Sequence, residues 1–233
     1  MFHPFASSFL LVAMTGLPVL VAGSLVLTVW STTQSKRTAA LVALGLTALM
    51  MAQQAIASAG VLRDWSRRPP LLMLVIMATI ALTVAFAFSK TGKTIACQGS
   101  CAFLVLSQAF RLPLELIMNR AAEEGVMPVQ MSYSGWNFDI FTGLSAFILG
   151  IFLATGRSWP GAVRVWNLVG FCLLLNIVGI AIFSLPPIAA FGPSRLNVWI
   201  TYPPFIWLPG VLVPSALLGH ILIWRKLGSA TAT

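Results

Sequence analysis

Seven apolar runs, each about the length of a helix that crosses a bilayer, constrain this chain more than any other feature. They run from about Ser8 to Trp30, Thr38 to Gly60, Pro70 to Phe88, Ile95 to Asn119, Asn137 to Thr155, Val163 to Leu185 and Pro204 to Arg225. In hydrocarbon every backbone amide must find its partner inside the segment, so runs of this length are helices. With 58% of residues hydrophobic and 8% charged, against about 25% charged in an ordinary soluble domain, no soluble fold could hide the apolar surface. The expectation is an all-α, polytopic transmembrane helix bundle of seven spans, one transmembrane domain covering 1–233. The first run has no basic residues before it and is too long for a signal sequence's apolar core, so it reads as a span that is retained.

The net charge is +9, yet the cations sit in short clusters between apolar runs, without interleaved aromatics. That pattern predicts no nucleic-acid partner; it predicts orientation. Lys36, Arg37, Lys90, Lys93, Arg157, Arg164, Arg225 and Lys226 fall on one side of the seven-span arrangement, and Arg63, Arg67, Arg68, Arg120 and Arg195 on the other. Eight against five puts the N-terminus outside and the C-terminus in the cytoplasm, with the cluster RDWSRR (residues 63–68) dissenting. The two longest connections, 120–136 and 186–203, then lie outside. They are either lids folded over the bundle or solvated connectors.

The fourth run holds the stretch QAFRLPLELIMN, residues 108–119, in which an arginine, a glutamate and a proline interrupt the apolar sequence. At about 100° per residue, Gln108, Arg111, Glu115 and Asn119 fall within an arc of about 80°, and Cys97 and Cys101 share that direction. Lipid does not accept such a face, so it should turn inward. Arg111 lies about 12 Å along the helix from Asn119, deep enough that its charge needs a partner. Glu115, one turn away, is the expected partner, with Asp139 as a second acceptor. The stripe is either structural glue between helices or the wall of a pocket.

Asn137 and Asp139 open the fifth run; Asp139 either meets the outer end of the same stripe or is an exposed interfacial carboxylate near a helix N-terminus, and Asn137 or Asp139 should share a hydrogen-bonded network with Arg111 and Glu115. Asn176 in the sixth run reads as an interhelical hydrogen bond or a pocket residue, and at least one of Gln53 and Gln54 should face inward. Trp207 offers an aromatic wall or an interfacial anchor, while Pro209 and Pro214 should bend the seventh run and free carbonyls. His220 is a candidate proton relay, although a buried, hydrogen-bonded neutral histidine is the commoner role; the other histidine, His3, is expected across the membrane, which excludes a bis-histidine haem. The spacing CQGSC is not that of a redox or zinc site, so no metal is predicted. No phosphate-binding, dinucleotide, nucleophile-elbow or zinc-protease motif is present, the seventh run carries no lysine for a retinal Schiff base, and no cofactor is predicted.

The segments FRLPLEL (110–116), NFDIFTGL (137–144) and WLPGVLVPSALLGH (207–220) resemble those of uncharacterised bacterial seven-span integral membrane proteins. The resemblance covers most of the chain. It implies a bacterial inner-membrane location and carries no activity or site residues with it.

The functional expectation is a polar, outward-opening intramembrane pocket that binds or transports a small polar or anionic solute. Its candidate residues are Gln108, Arg111, Glu115, Asn119, Asn137, Asp139, Asn176 and Trp207. Two alternatives stand beside it: a membrane-embedded enzyme using Glu115 or Asp139 as acid or base on a lipid-like substrate, and a structural or assembly partner in a membrane complex. The lipid bilayer is the one partner expected in every case.

Overall fold

The computed structural model describes residues 5–229, which form helices and connections with no strand among them. The helices are α1 (Ser8–Thr33), α2 (Lys36–Ser58), α3 (Leu71–Phe88), α4 (Lys90–Gln98), α5 (Cys101–Leu106), α6 (Arg111–Glu123), α7 (Ile140–Ala154), α8 (Pro160–Phe183) and α9 (Val213–Ser229). Six helical stretches are long and apolar enough to cross a membrane: α1, α2, α3, the 101–123 stretch, α8 and the 208–229 stretch. The chain is thus a multi-pass membrane protein. Their outer faces are apolar and open, as at Val12, Leu20, Leu44 and Met77, which lipid accepts and water does not.

The fourth run is not the single helix expected from Ile95 to Asn119. It breaks at Gly99 and Ser100, where the Ser100 hydroxyl accepts from the Phe103 amide and starts a new helix. Cys97 is therefore exposed on the separate short helix α4, and Cys101 is half-buried on α5. The stripe does not extend to them. A 3₁₀ turn, Ser107–Phe110, joins α5 to α6. Pro113 follows in the first turn of α6, where a missing N–H leaves no helical bond unmade.

The fifth run is also shorter than expected: α7 has 15 residues, about 22 Å of helix. Its first residues pack beside Arg111 and Leu112 rather than beside the end of α6. A Cβ on Gly143 would strike the backbone there. The chain from Glu124 to Asp139 reaches that level as irregular backbone with one 3₁₀ turn, Val129–Met131, and with Val126, Met127, Gln130, Met131, Ser132 and Asn137 buried against the bundle. Irregular backbone at membrane depth is tolerated where protein covers it. The second long connection behaves alike: Asn197, Trp199, Ile200, Thr201 and Phe205 are buried, and a π-helical turn, Leu208–Leu212, leads into α9. Both connections thus pack against the bundle in part, with exposed stretches such as 193–195 beside the buried ones.

The opposite side has brief turns: residues 34–35 between α1 and α2, Ser89 between α3 and α4, and 155–159 between α7 and α8. The apolar core divides into two clusters. One, towards the long connections, includes Leu10, Met14, Leu114, Met118, Leu174 and Trp199. The other includes Val29, Ile95, Val105, Ala146, Val163 and Leu222. Arg111 lies at the boundary between them.

Candidate functional site

Arg111 is 1% exposed, near the middle of the 23-residue stretch Cys101–Glu123. Its fork meets Asp139: Nε donates to Oδ2 at 2.6 Å, and Nη2 to Oδ1. Nη2 also donates to the Gly170 carbonyl at 3.3 Å, and Nη1 lies 2.8 Å from Nε2 of His220. A guanidinium has only donors, so Nε2 of His220 must be the acceptor and the ring proton resides on Nδ1. That proton is donated to Oδ1 of Asn167 at 2.8 Å, while the Asn167 amide donates to the His220 carbonyl at 3.1 Å. Gly170 lets the elements meet: a Cβ there would strike Thr142 of α7 and His220 of α9.

The direct Arg111–Glu115 pair expected from their spacing does not form. Long helical side chains lean back towards their own N-terminus, which carries Arg111 away from Glu115 and onto Asp139. Glu115 instead accepts from the Asn137 amide, Nδ2 to Oε2 at 2.7 Å. Oδ1 of Asn137 in turn accepts from the Asp139 backbone N–H at 3.0 Å. One network therefore runs from Glu115 through Asn137 and Asp139 to Arg111, His220 and Asn167. Both ring nitrogens of His220 are engaged, Nε2 by the Arg111 guanidinium and Nδ1 by Asn167.

A cavity of about 190 Å³ lies against this network. Arg111, Glu115, Asp139 and Asn197 line it, and the remaining wall is apolar, from Met73, Ile76, Leu114, Ile177, Leu212, Ala216 and their neighbours. The cavity is therefore less polar than the stripe alone predicts. Its contributors from the long connections, Met131, Asn197 and Ile200, are buried at 0–4% exposure, whereas Met77 on α3 is 62% and Ile182 on α8 38% exposed.

Of the expected pocket residues, Arg111, Glu115 and Asp139 line the cavity, and Asn137 supports Glu115 from behind. The others lie elsewhere. Gln108 turns to the opposite side of the bundle, against Gly219 and a separate small cavity beside α1 and α9, because the 3₁₀ turn rotates it out of the stripe. Asn119 is held among surface groups, donating to Glu123 at 2.8 Å and accepting from Ser134 at 2.7 Å. Asn176 is exposed and donates to the Trp136 carbonyl, tying α8 to the 124–139 segment. Trp207 is buried on the α2 side, its indole N–H donating to the Met50 carbonyl at 3.0 Å. Gln53 does face inward, within 3.3 Å of both Thr79 Oγ1 and the Gly210 carbonyl in the π-helical turn. His3 lies outside the described residues.

Asn167, Gly170 and Asn197 are the polar partners that the sequence reading missed. A lone asparagine in an apolar run signals a buried hydrogen bond, which is the available clue for Asn167. Asn197 sits in a connection whose burial has no periodic signature. A larger cavity, about 330 Å³, lies among α1, α2, α3 and α9, but no ionisable side chain lines it. Among the described residues no cluster of three metal-ligating side chains occurs. Comparison with known families, characterised proteins and solved structures finds no match for this chain.

Proposed function

We propose that this chain is a bacterial inner-membrane protein that binds a small lipid-like molecule, admitted from the bilayer between α3 and α8. In this reading α7 completes a seven-helix arrangement with the N-terminus outside and the C-terminus in the cytoplasm. The orientation draws support from the basic residues, eight on the short-turn side against five on the other. The observation that carries the function is the cavity itself, apolar along nearly all of its wall, with its exposed lining residues, Met77 and Ile182, on α3 and α8 and the buried Glu115 among the rest. An apolar pocket with a few convergent polar groups is the common form of a small-molecule site. The small polar or anionic solute expected from the stripe fits less well, because Arg111, the one cation on the wall, already holds Asp139.

The test is to purify the protein in native-lipid nanodiscs and identify co-purifying lipophiles by mass spectrometry, beside Ala181→Phe, which fills the cavity wall. A species retained by the wild type and lost from the variant supports the reading. Identical lipid content in both rejects it. Reporter fusions at the C-terminus and at Arg157 should report cytoplasm, and at Gly125 and Gly192 the outside.

A second reading, acid–base chemistry on the same lipophile, rests on one observation: only Oε2 of Glu115, a residue that lines the cavity, has a hydrogen-bond partner, leaving Oε1 for a proton. Turnover of a bound lipophile that stops in Glu115→Gln would support it.

A further inference from the structure

We infer that the end of the bundle with the brief turns is a docking surface for the anionic head groups of one bilayer leaflet. Lys36 and Arg37 open α2, Lys90 and Lys93 lie in the opening turn of α4, and Arg157 and Arg164 flank the start of α8; all six are exposed. Packing draws these segments together. Ala39 of α2, Ala87 of α3, Ile95 of α4, Val163 of α8 and Leu227 of α9 belong to one apolar cluster. The Arg225 guanidinium donates to the Ala87 carbonyl, and Nη2 of Arg164 lies 3.5 Å from the carbonyl oxygen of Leu227. None of the chain's five acidic residues stands in α2, α4, α8 or α9 or in the turns before them. Among the described residues, the side chains of Lys36, Arg37, Lys90 and Lys93 have no hydrogen-bond or ion-pair partner.

Charge selects the partner. α2, α4 and α8 all start at this end, so the positive poles of three helices point toward it, and none has an acidic residue in its first turn. Cations there are the unfavourable choice, and like charges gathered without counter-charges repel one another. An anionic surface laid across the end reverses both costs. Aromatic side chains fix the level. Trp30, Phe88 and Trp224, near the matching ends of α1, α3 and α9, and Trp159, beside the start of α8, are exposed. Such rings settle at the head-group layer. Lipid phosphates lie in that layer, within reach of flexible lysine and arginine stems. Cations spread over the starts of three helices suit a layer of head groups better than the single acidic group of a soluble ligand. None of them lines the cavity beside Glu115, so the surface stands whatever that cavity holds.

The experiment reconstitutes the full chain in phosphatidylcholine vesicles and measures, by electron spin resonance, how much spin-labelled phosphatidylglycerol or phosphatidylcholine the protein immobilises. The anionic label should associate at least about threefold more strongly. At about 0.5 M salt, where screening shortens the electrostatic reach to about 4 Å, that preference should fall by about half or more. All four lysines of the chain, Lys36, Lys90, Lys93 and Lys226, belong to this end. Acetylating the folded protein in detergent before reconstitution therefore removes their charge without disturbing membrane insertion, the terminal amine being the one other target. The preference should again fall by about half or more. Arg67→Gln/Arg68→Gln/Arg195→Gln, which strips exposed cations from the opposite side, should keep it. Equal immobilisation of the two labels overturns the proposal. A preference that survives acetylation and salt, or one that is lost equally in the arginine variant, overturns the assignment to this end. A soluble poly-glutamate peptide that binds the vesicles and is not displaced by phosphatidylglycerol gives the surface to an acidic protein instead, and the proposal falls.

Discussion

The Arg111 cluster and the Glu115 end of the cavity lie one turn apart on α6, both buried to 1% exposure, yet they are built on opposite principles. Around Arg111 the partners close on one another: the guanidinium, the Asp139 carboxylate and the His220 ring are matched by groups from α6, α7, α8 and α9. At Glu115, beside an apolar chamber, one oxygen is held by Asn137 and the other has no hydrogen-bond partner. The first arrangement fixes four helices at the boundary between two apolar cores. The second leaves a valence unused. An ionisable residue at membrane depth is therefore not one kind of signal: satisfaction of its bonds separates a fastening from a site.

The comparison breaks first at Asp139. Asp139→Asn removes the counter-charge from a buried arginine and should cost about 3–5 kcal/mol, read as denaturant unfolding in micelles. A loss under about 1 kcal/mol would mean that water reaches the cluster and that it is no more closed than the cavity. Next is His220→Leu, which strips an acceptor from Arg111 and a donor from Asn167. About 1–3 kcal/mol should be lost, with His220→Gln recovering part through its amide oxygen. Equal stabilities for the leucine and glutamine variants would show that the ring is held by packing alone.

Glu115→Gln comes third and sharpens the contrast. The substituted amide still offers an oxygen to Asn137, so stability should change by less than about 1 kcal/mol while lipophile binding changes. A destabilisation comparable to Asp139→Asn would place Glu115 inside the fastening. The smallest effect belongs to the surface. Burial, the largest single influence, pushes the Glu124 carboxyl up, but the Ser7 amide and hydroxyl and Arg120 together hold it below its ordinary value of 4.5. A lowered folded value contributes stability above the unfolded value that is lost as pH falls through the folded one. Acidification below 4.5 should thus lower the melting temperature slightly more in the wild type than in Glu124→Gln. Parallel curves would show that this tie between α1 and α6 contributes nothing measurable.

Much of this was legible from residue order. Apolar runs of the right length give α1, α2, α3 and α8 within a few residues, because the bilayer sets a length and hydrocarbon forbids unpaired amides. That the Arg111 face turns inward follows from the same cost. The partner assignment did not follow, because helical spacing says which side chains are neighbours but not which way a long one leans. Cys97 and Gln108 left the stripe for a local reason: Ser100 starts a new helix and residues 107–110 tighten into a 3₁₀ turn, so one uniform angle per residue misplaces everything beyond. Asn197 was hidden differently, in a non-periodic connection whose burial depends on what the rest of the chain leaves uncovered.

The late start of α7 has a consequence for how the protein enters a membrane during synthesis. Fifteen residues are fewer than the about 20 that partition on their own. The helix is also preceded by Asp139, a residue that insertion scales penalise by about 2.5–3.5 kcal/mol at mid-bilayer. Arg111 carries a similar penalty on the strand of chain made just before it. Each is a poor cargo alone, and together they are nearly neutral. Leaving the translocation machinery as one hairpin, with the ion pair already joined, would let the α5–α6 stretch and α7 avoid both penalties.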